Sequence, residues 1–150
     1  MKIDIEQLKK LREDTGAGVA DCRMALEESG GDIKKAADIL RKKGIEKADK
    51  KAERVVRAGM VFAYLHHTGR LGSLLGLACE TDFVAKTDDF QKLGKELAMQ
   101  VAAGKPKNVK AFLASPYMRD ESKSVQELIK ETIGKLGENI QVLDFKLVEV

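Results

Sequence analysis

The 150-residue sequence has no tryptophan, few aromatic residues, two prolines and two cysteines. Cys22 and Cys79 lie far apart and outside any Cys-x-x-Cys pair, so we expect buried, reduced thiols in a reducing compartment and no disulfide between them. With 43% hydrophobic and 34% charged residues, the composition is typical of a compact, helix-rich protein. It excludes the disordered and collagenous classes.

The sequence also lacks a long apolar run and an excess of charge of one sign. Nowhere do 18 apolar residues follow one another, and residues 1–6 lack the apolar stretch of a signal peptide, so we expect a cytoplasmic protein without a membrane partner. The 27 basic residues nearly balance the 24 acidic ones, and a net charge of +3 is too small to argue for direct nucleic-acid binding. A protein or a small molecule is the expected partner.

Three short helices are predicted in the first 45 residues, because apolar residues recur there at helical spacing between cap signals. The first helix follows Asp4 and stops at Thr15-Gly16, and the second stops at the glycines after Ser29. The third begins at Asp32 and ends near Lys43-Gly44. We expect these helices to form a compact bundle over residues 1–45.

Residues 46–57 are rich in lysine and arginine and poor in apolar residues. This pattern predicts a basic, solvated helical linker. The stretch could contact phosphate, but it lacks interleaved aromatic residues, so RNA binding is the functional alternative with the least support.

Residues 58–150 are predicted to form an α+β domain. Apolar runs of strand length flank the segment 66–70, which predicts an antiparallel hairpin. Gly72 and Gly76 leave gaps on one face of the second strand, which favours close packing of a helix across that face. Helices are predicted after Thr87 and after Ser124.

A third strand over residues 140–150 completes this domain, and Leu143, Phe145 and Leu147 are expected on one side of it. The prediction is a three-stranded antiparallel sheet with helices on one face.

The sequence contains no signature of covalent chemistry. No Gly-Lys-Ser/Thr phosphate loop, nucleophile elbow or pair of carboxylates in an apolar setting is present. His66-His67 could ligate a metal, but no third ligand stands at suitable spacing, so a hydrated turn is the favoured interpretation. We expect a binding protein that is not an enzyme, has no catalytic residue and needs no metal or cofactor.

Two turns each allow a structural and a functional interpretation. Asp82-Phe83 follows a predicted strand, where Asp82 could cap a helical turn above a buried Phe83, or the pair could reach a partner. Residues 15–19, Thr-Gly-Ala-Gly-Val, could be a tight helix–helix turn or a small surface that a partner approaches closely. For Asp82-Phe83 composition alone favours the structural interpretation, because phenylalanine is most often buried. For residues 15–19 local physics does not choose between the alternatives.

Four segments together closely resemble bacterial elongation factor Ts in its short form. They are residues 11–22 (Leu-Arg-Glu-Asp-Thr-Gly-Ala-Gly-Val-Ala-Asp-Cys), 31–33 (Gly-Asp-Ile), 79–85 (Cys-Glu-Thr-Asp-Phe-Val-Ala) and 137–140 (Gly-Glu-Asn-Ile). The resemblance runs along almost the whole chain in order. It implies an N-terminal three-helix, ubiquitin-associated-like domain over residues 1–45 and a core dimerisation domain over residues 58–150.

The resemblance also implies a guanine-nucleotide exchange factor that promotes GDP release from elongation factor Tu during translation. Phe83 would insert between helices of the GTPase, and Asp82 would help to displace the region that holds magnesium. The implied wedge is Thr81, Asp82, Phe83 and Val84. The implied partner-binding N-terminal surface is Leu11, Arg12, Gly16, Gly18 and Val19.

The chain departs from the family pattern in two places. Only a short segment, residues 107–123, stands where many members carry a long helical insertion, and Gln100 stands where the family often has histidine. Short members pair two chains, so we expect a homodimer joined through the sheet. The alternative function is a ubiquitin-associated-type adaptor that binds peptides through residues 1–45 without exchange activity.

Overall fold

The computed structural model describes residues 2–150, and this part of the chain forms seven helices and five strands. In chain order the elements are α1 (Ile5–Thr15), α2 (Val19–Glu28), α3 (Ile33–Asp49), β1 (Ala58–Leu65), β2 (Leu71–Cys79), α4 (Asp82–Ala85), α5 (Asp88–Gly104), α6 (Val109–Ala114), β3 (Pro116–Tyr117), β4 (Asp120–Ser124), α7 (Val125–Leu136) and β5 (Ile140–Glu149).

The first three helices form the predicted bundle around a small apolar core. The Asp4 carboxylate accepts the Glu6 N–H and caps α1, and the Asp32 carboxylate caps α3. Gly16 ends α1 with a left-handed backbone at φ 68°. Leu11, Cys22 and other side chains from the three helices fill this core.

The third helix is longer than predicted. It does not end near Lys43-Gly44 but continues to Asp49, and residues 50–57 follow as turns and an extended segment. The basic stretch that was expected to be a separate linker helix is therefore partly the end of α3. Gly44 stays helical because it faces α7, where the two backbones cross closely at Gly134.

The second part of the chain confirms the predicted α+β class. β1, β2 and β5 form a three-stranded antiparallel sheet in the order β1-β2-β5, and α5 and α7 contribute to the core on its inner face. Leu75 and Leu77 of β2 project inward and are buried with the apolar face of α5. Ser124 caps α7 as predicted, because its hydroxyl accepts the Glu127 N–H at 3.1 Å.

The predicted role of Gly72 and Gly76 is wrong. Ser73, Leu75 and Leu77 alternate with them and point to the helices, so the glycines lie on the outer face of the sheet. The close approach instead uses a glycine of α5. A Cβ at Gly94 would overlap the Phe62 ring of β1, and only glycine leaves room for that ring.

The predicted face of Leu143 is also wrong. Gly76 pairs with Asp144 while Leu77 pairs with Val142, so Leu143 is the extra residue of a β-bulge. Because one extra residue reverses the alternation, the core side holds Ile140 and Val142 before the bulge and Phe145 and Leu147 after it, whereas Leu143 is exposed.

The short segment over residues 107–123 contains α6 and most of the β3–β4 hairpin. Gln100 of α5 is buried and holds this hairpin by two hydrogen bonds. Its Nε2 donates to the carbonyl of Pro116 at 3.1 Å, and its Oε1 accepts the Met118 N–H at 2.9 Å. Gln100 therefore has an internal structural role in this chain.

Candidate functional site

The sharp corner after β2 presents an aromatic side chain to solvent. Thr81 caps the four-residue helix α4, with its Oγ1 accepting the Val84 N–H at 3.3 Å. Val84 and Ala85 are buried in the core, whereas 84% of Phe83 is exposed. Because one turn of helix places its side chains on different sides, burial of the two residues after Phe83 turns the Phe83 ring outward.

Asp82 is exposed beside Phe83 in the first turn of α4. The cap of this turn is Thr81, not Asp82, and Phe83 is not a core residue. The structural interpretation of the pair is thus wrong on both counts. A carboxylate and an aromatic ring are therefore both available to a partner at this corner. The backbone N–H groups at the N-terminus of α4 favour the negative charge of Asp82.

Below the corner, Cys79 ends β2 inside the core. Its Sγ donates to the Thr81 carbonyl at 3.1 Å. Burial raises the pKa of the Cys79 thiol, and the nearby Glu138 carboxylate raises it further. The thiol therefore stays protonated at neutral pH and serves the local structure of the corner.

The turn between α7 and β5 supports the corner, and sequence reasoning did not assign it a role. Glu138 accepts both the N–H and the hydroxyl of Thr81, at 2.9 and 2.7 Å. Asn139 is buried and donates its N–H to the Glu80 carboxylate at 2.7 Å. The only sequence signal was the resemblance of residues 137–140 to the family pattern.

The predicted N-terminal residues fall partly on one surface and partly below it. Arg12, Gly16 and Gly18 are exposed around the α1–α2 turn, and Val19 is half exposed at the start of α2. Leu11 is fully buried in the bundle core, so it supports this surface from beneath and cannot contact a partner directly.

The α1–α2 turn faces α7 across a cleft of about 280 Å³, which α3 also lines. Gly16, Gly18, Arg41, Lys47 and Lys135 are among the residues that line it. The alkyl chain of Lys135 lies directly against Gly16. Residues 81–84 do not line this cleft, so the structure does not bring the two predicted groups of site residues into one pocket.

The His66-His67 pair lies at the β1–β2 turn. His66 Nδ1 is 2.9 Å from Thr68 Oγ1, and the two imidazole rings lie 4.1 Å apart. Within residues 2–150, no three histidine, cysteine, aspartate or glutamate side chains cluster in a way that could hold a metal ion. None of the helices described is both long and apolar enough to cross a bilayer.

Comparison with known proteins identifies the family. A family model described as "Elongation factor TS" matches residues 80–150. Over its whole length the chain is 42% identical to elongation factor Ts of Thermotoga neapolitana, and the match covers 98% of that protein. That alignment runs over 193 positions, so the relative contains residues that have no counterpart in this 150-residue chain.

Two further relatives agree. Elongation factor Ts of Coprothermobacter proteolyticus is 38% identical over 97% of this chain and 96% of its own length. Elongation factor Ts of Gloeothece citriformis is 40% identical over 96% of this chain, which corresponds to 66% of its own length. Identity of this extent along the whole chain shows that the protein belongs to the elongation factor Ts family.

Proposed function

We propose that this translation elongation factor is a guanine-nucleotide exchange factor that promotes GDP release from elongation factor Tu in the cytoplasm. The observation that carries the proposal is the exposure of Phe83 on a corner whose next two residues, Val84 and Ala85, are buried. A large apolar side chain that is held in water on a short, capped turn is available for burial in a partner.

In this proposal residues 81–84 act as the wedge. Phe83 inserts between helices of the GTPase domain, and the Asp82 carboxylate helps to displace the region that holds magnesium on the nucleotide phosphates. The phosphates then lose charge compensation, and GDP leaves more readily. The factor forms no covalent bond in this cycle.

The energetics follow from linkage. A factor that binds the nucleotide-free GTPase more tightly than the loaded one weakens nucleotide binding by the same ratio. Burial of one phenylalanine contributes roughly 2–3 kcal/mol, which corresponds to a shift of roughly 30- to 150-fold. Exchange therefore needs binding energy from a second surface as well.

We place that second surface around the α1–α2 turn. Arg12 and Val19 offer a charged and an apolar side chain there, and Gly18 allows close approach of a partner backbone, whereas close approach to Gly16 requires the flexible Lys135 side chain to move aside. In this arrangement the N-terminal surface holds the GTPase while the wedge acts on its nucleotide site. A variant without the wedge should still bind.

The proposal is tested by the release of fluorescent GDP from elongation factor Tu with wild type and Phe83→Ala. We expect Phe83→Ala to bind elongation factor Tu but to exchange roughly 30- to 150-fold less efficiently, because the buried ring is lost. Val55→Ala is the matched control, since Val55 is exposed and apolar but lies outside the corner.

An unchanged release rate with Phe83→Ala would exclude the wedge. Loss of all binding by this variant would argue against an independent N-terminal surface. If the wild type has no effect on GDP release, the adaptor function of residues 1–45 is the better interpretation.

We also propose that the protein is a homodimer joined through the outer face of the sheet. Exposed apolar side chains lie on this face beside the exposed Asp144–Lys146 ion pair: Val61, Leu65, Leu74, Leu143 and Val148. Gly72 and Gly76 lie between them, so no side chain projects from the sheet at these two positions. A second copy of the same chain supplies a surface of the same apolar character, and pairing removes both from water.

A further inference from the structure

We propose that Glu138 is the positioning residue that holds the Phe83 corner in its outward geometry, an inference that rests on the proposed wedge function. Glu138 does not itself present a surface to the partner in this account. It acts through Thr81, the residue that begins the corner.

The point where β2 and β5 separate shows how this works. Cys79 and Ile140 are the last paired residues of the two strands. Beyond them, a carboxylate from each segment accepts a backbone N–H of the other segment. Glu80 accepts the Asn139 N–H at 2.7 Å, and Glu138 accepts the Thr81 N–H at 2.9 Å. Two carboxylates thus take the place of the next backbone carbonyls in the ladder.

The Glu138 carboxylate makes a second hydrogen bond that fixes the side chain of Thr81. The Thr81 hydroxyl donates to Glu138 at 2.7 Å and at the same time accepts the Val84 N–H. Because the hydroxyl hydrogen points to Glu138, its lone pairs are free to face the N–H groups of α4. The carboxylate therefore orients the cap of a helix that is too short to be stable by itself.

Glu138 is in turn held by its neighbour. Asn139 is buried, and its Nδ2 donates to the carbonyls of Ala52 and Arg54 at 3.3 and 2.9 Å. These bonds tie the α7–β5 turn to the segment that follows α3. The support of the corner consequently lies on an anchored turn, and Phe83 is presented in one orientation before any partner binds.

The test uses Glu138→Ala and Glu138→Gln, with Phe83→Ala as the reference. We expect Glu138→Ala to lower the efficiency of GDP release from elongation factor Tu about tenfold, the usual consequence of losing hydrogen bonds to a charged group. Glu138→Gln should be intermediate, because its amide oxygen still accepts one of the two hydrogen bonds. Glu121→Gln, at an exposed glutamate of β4, is the matched control and should exchange like wild type.

Two readouts separate positioning from general loss of structure. Amide hydrogen exchange at residues 81–85 should accelerate in Glu138→Ala while protection in the centre of β2 is unchanged. In a background that lacks both exposed wedge side chains, Asp82→Ala with Phe83→Ala, Glu138→Ala should cause no further loss of exchange activity, because Glu138 acts only through the wedge.

The outcomes are distinguishable from those of the proposed function. If Phe83→Ala loses activity but Glu138→Ala and Glu138→Gln match wild type, the positioning role is overturned and the wedge stands. A tenfold loss that persists in the Asp82→Ala/Phe83→Ala background would overturn it too. If Phe83→Ala releases GDP as fast as wild type, the wedge is excluded. Unchanged amide hydrogen exchange at residues 81–85 in Glu138→Ala would then also exclude the positioning of the corner by Glu138.

Discussion

At the crossing of α3 and α7 two glycines face each other, but the space around them is not equal. A Cβ on Gly134 would lie 2.7 Å from the Cα of Gly44 and 3.0 Å from its carbonyl oxygen. A Cβ on Gly44 would lie 3.9 Å from the Cα of Gly134, which is an ordinary van der Waals contact. The contact between α3 and α7 therefore requires glycine at only one of the two positions.

We predict opposite effects for the two alanine substitutions. Gly134→Ala should destabilise the protein by about 1–3 kcal/mol, because backbone atoms must move to admit the methyl group. Gly44→Ala should be neutral or stabilise by up to about 1 kcal/mol, since alanine favours the helix and the methyl group fits. Urea denaturation of both variants checks this, and equal effects would show that the crossing is not as close as described.

At the scale of elements, the β3–β4 hairpin is held to α5 by an acidic side chain. Tyr117 Oη donates to Glu96 at 2.8 Å, and Arg119 Nε donates to the same carboxylate at 2.8 Å. Burial opposes ionisation of Glu96, but hydrogen bonds from Arg119 and Tyr117 outweigh it and keep the pKa of Glu96 below its ordinary value of 4.5. Burial and the hydrogen bond to Glu96 raise the pKa of Tyr117 to about 12.

These shifts predict how the hairpin responds to pH. The lowered pKa of Glu96 means that its contribution to stability is complete above about pH 4.5 and is lost as the pH falls through the folded-state value. The raised pKa of Tyr117 means that its contribution is complete below pH 10.0 and is lost as the pH rises through about 12. Glu96→Gln should therefore flatten the fall of Tm on acidification.

Thermal melting of wild type and Glu96→Gln from about pH 7 to about pH 3 measures this difference. Glu121→Gln serves as the control, because that glutamate is exposed and should leave the acid dependence unchanged. If Tm falls with decreasing pH as steeply in Glu96→Gln as in wild type, other carboxylates account for the acid sensitivity.

At the scale of the whole molecule, the outer face of the sheet predicts the oligomeric state. Leu74 lies in the middle strand on this face and is 51% exposed. We expect wild type to be a dimer at micromolar concentration and Leu74→Lys to be a monomer, because the substitution removes an apolar contact and places a second positive charge opposite Lys146 in a face that pairing would bury. Sedimentation velocity or light scattering provides the measurement.

Met24→Lys is the matched control for the dimer. Met24 is also 51% exposed, but it lies on α2 of the bundle, so the substitution should leave the dimer intact. A monomeric wild type at micromolar concentration would remove the homodimer proposal. Dissociation by Met24→Lys instead of Leu74→Lys would move the interface to the bundle.

The accuracy of the sequence predictions varied with the range of the interactions involved. Cap residues such as Asp4, Asp32 and Ser124 fixed helix starts correctly, because a cap is a local contact. The end of α3 was missed, since Gly44 reads as a stop unless its contact with α7 is known. The face of Leu143 was missed because a bulge depends on how β5 aligns with β2.

The sequence by itself determined the α+β class, the position of the corner after β2 and the family, because periodicity, caps and segment resemblance are all written along the chain. Only the tertiary structure decided that Phe83 is exposed while Leu11 is buried. It alone showed that Glu138, distant in sequence, holds Thr81. Exposure and hydrogen bonding between distant segments depend on which elements meet in space, and spacing along one segment does not specify that.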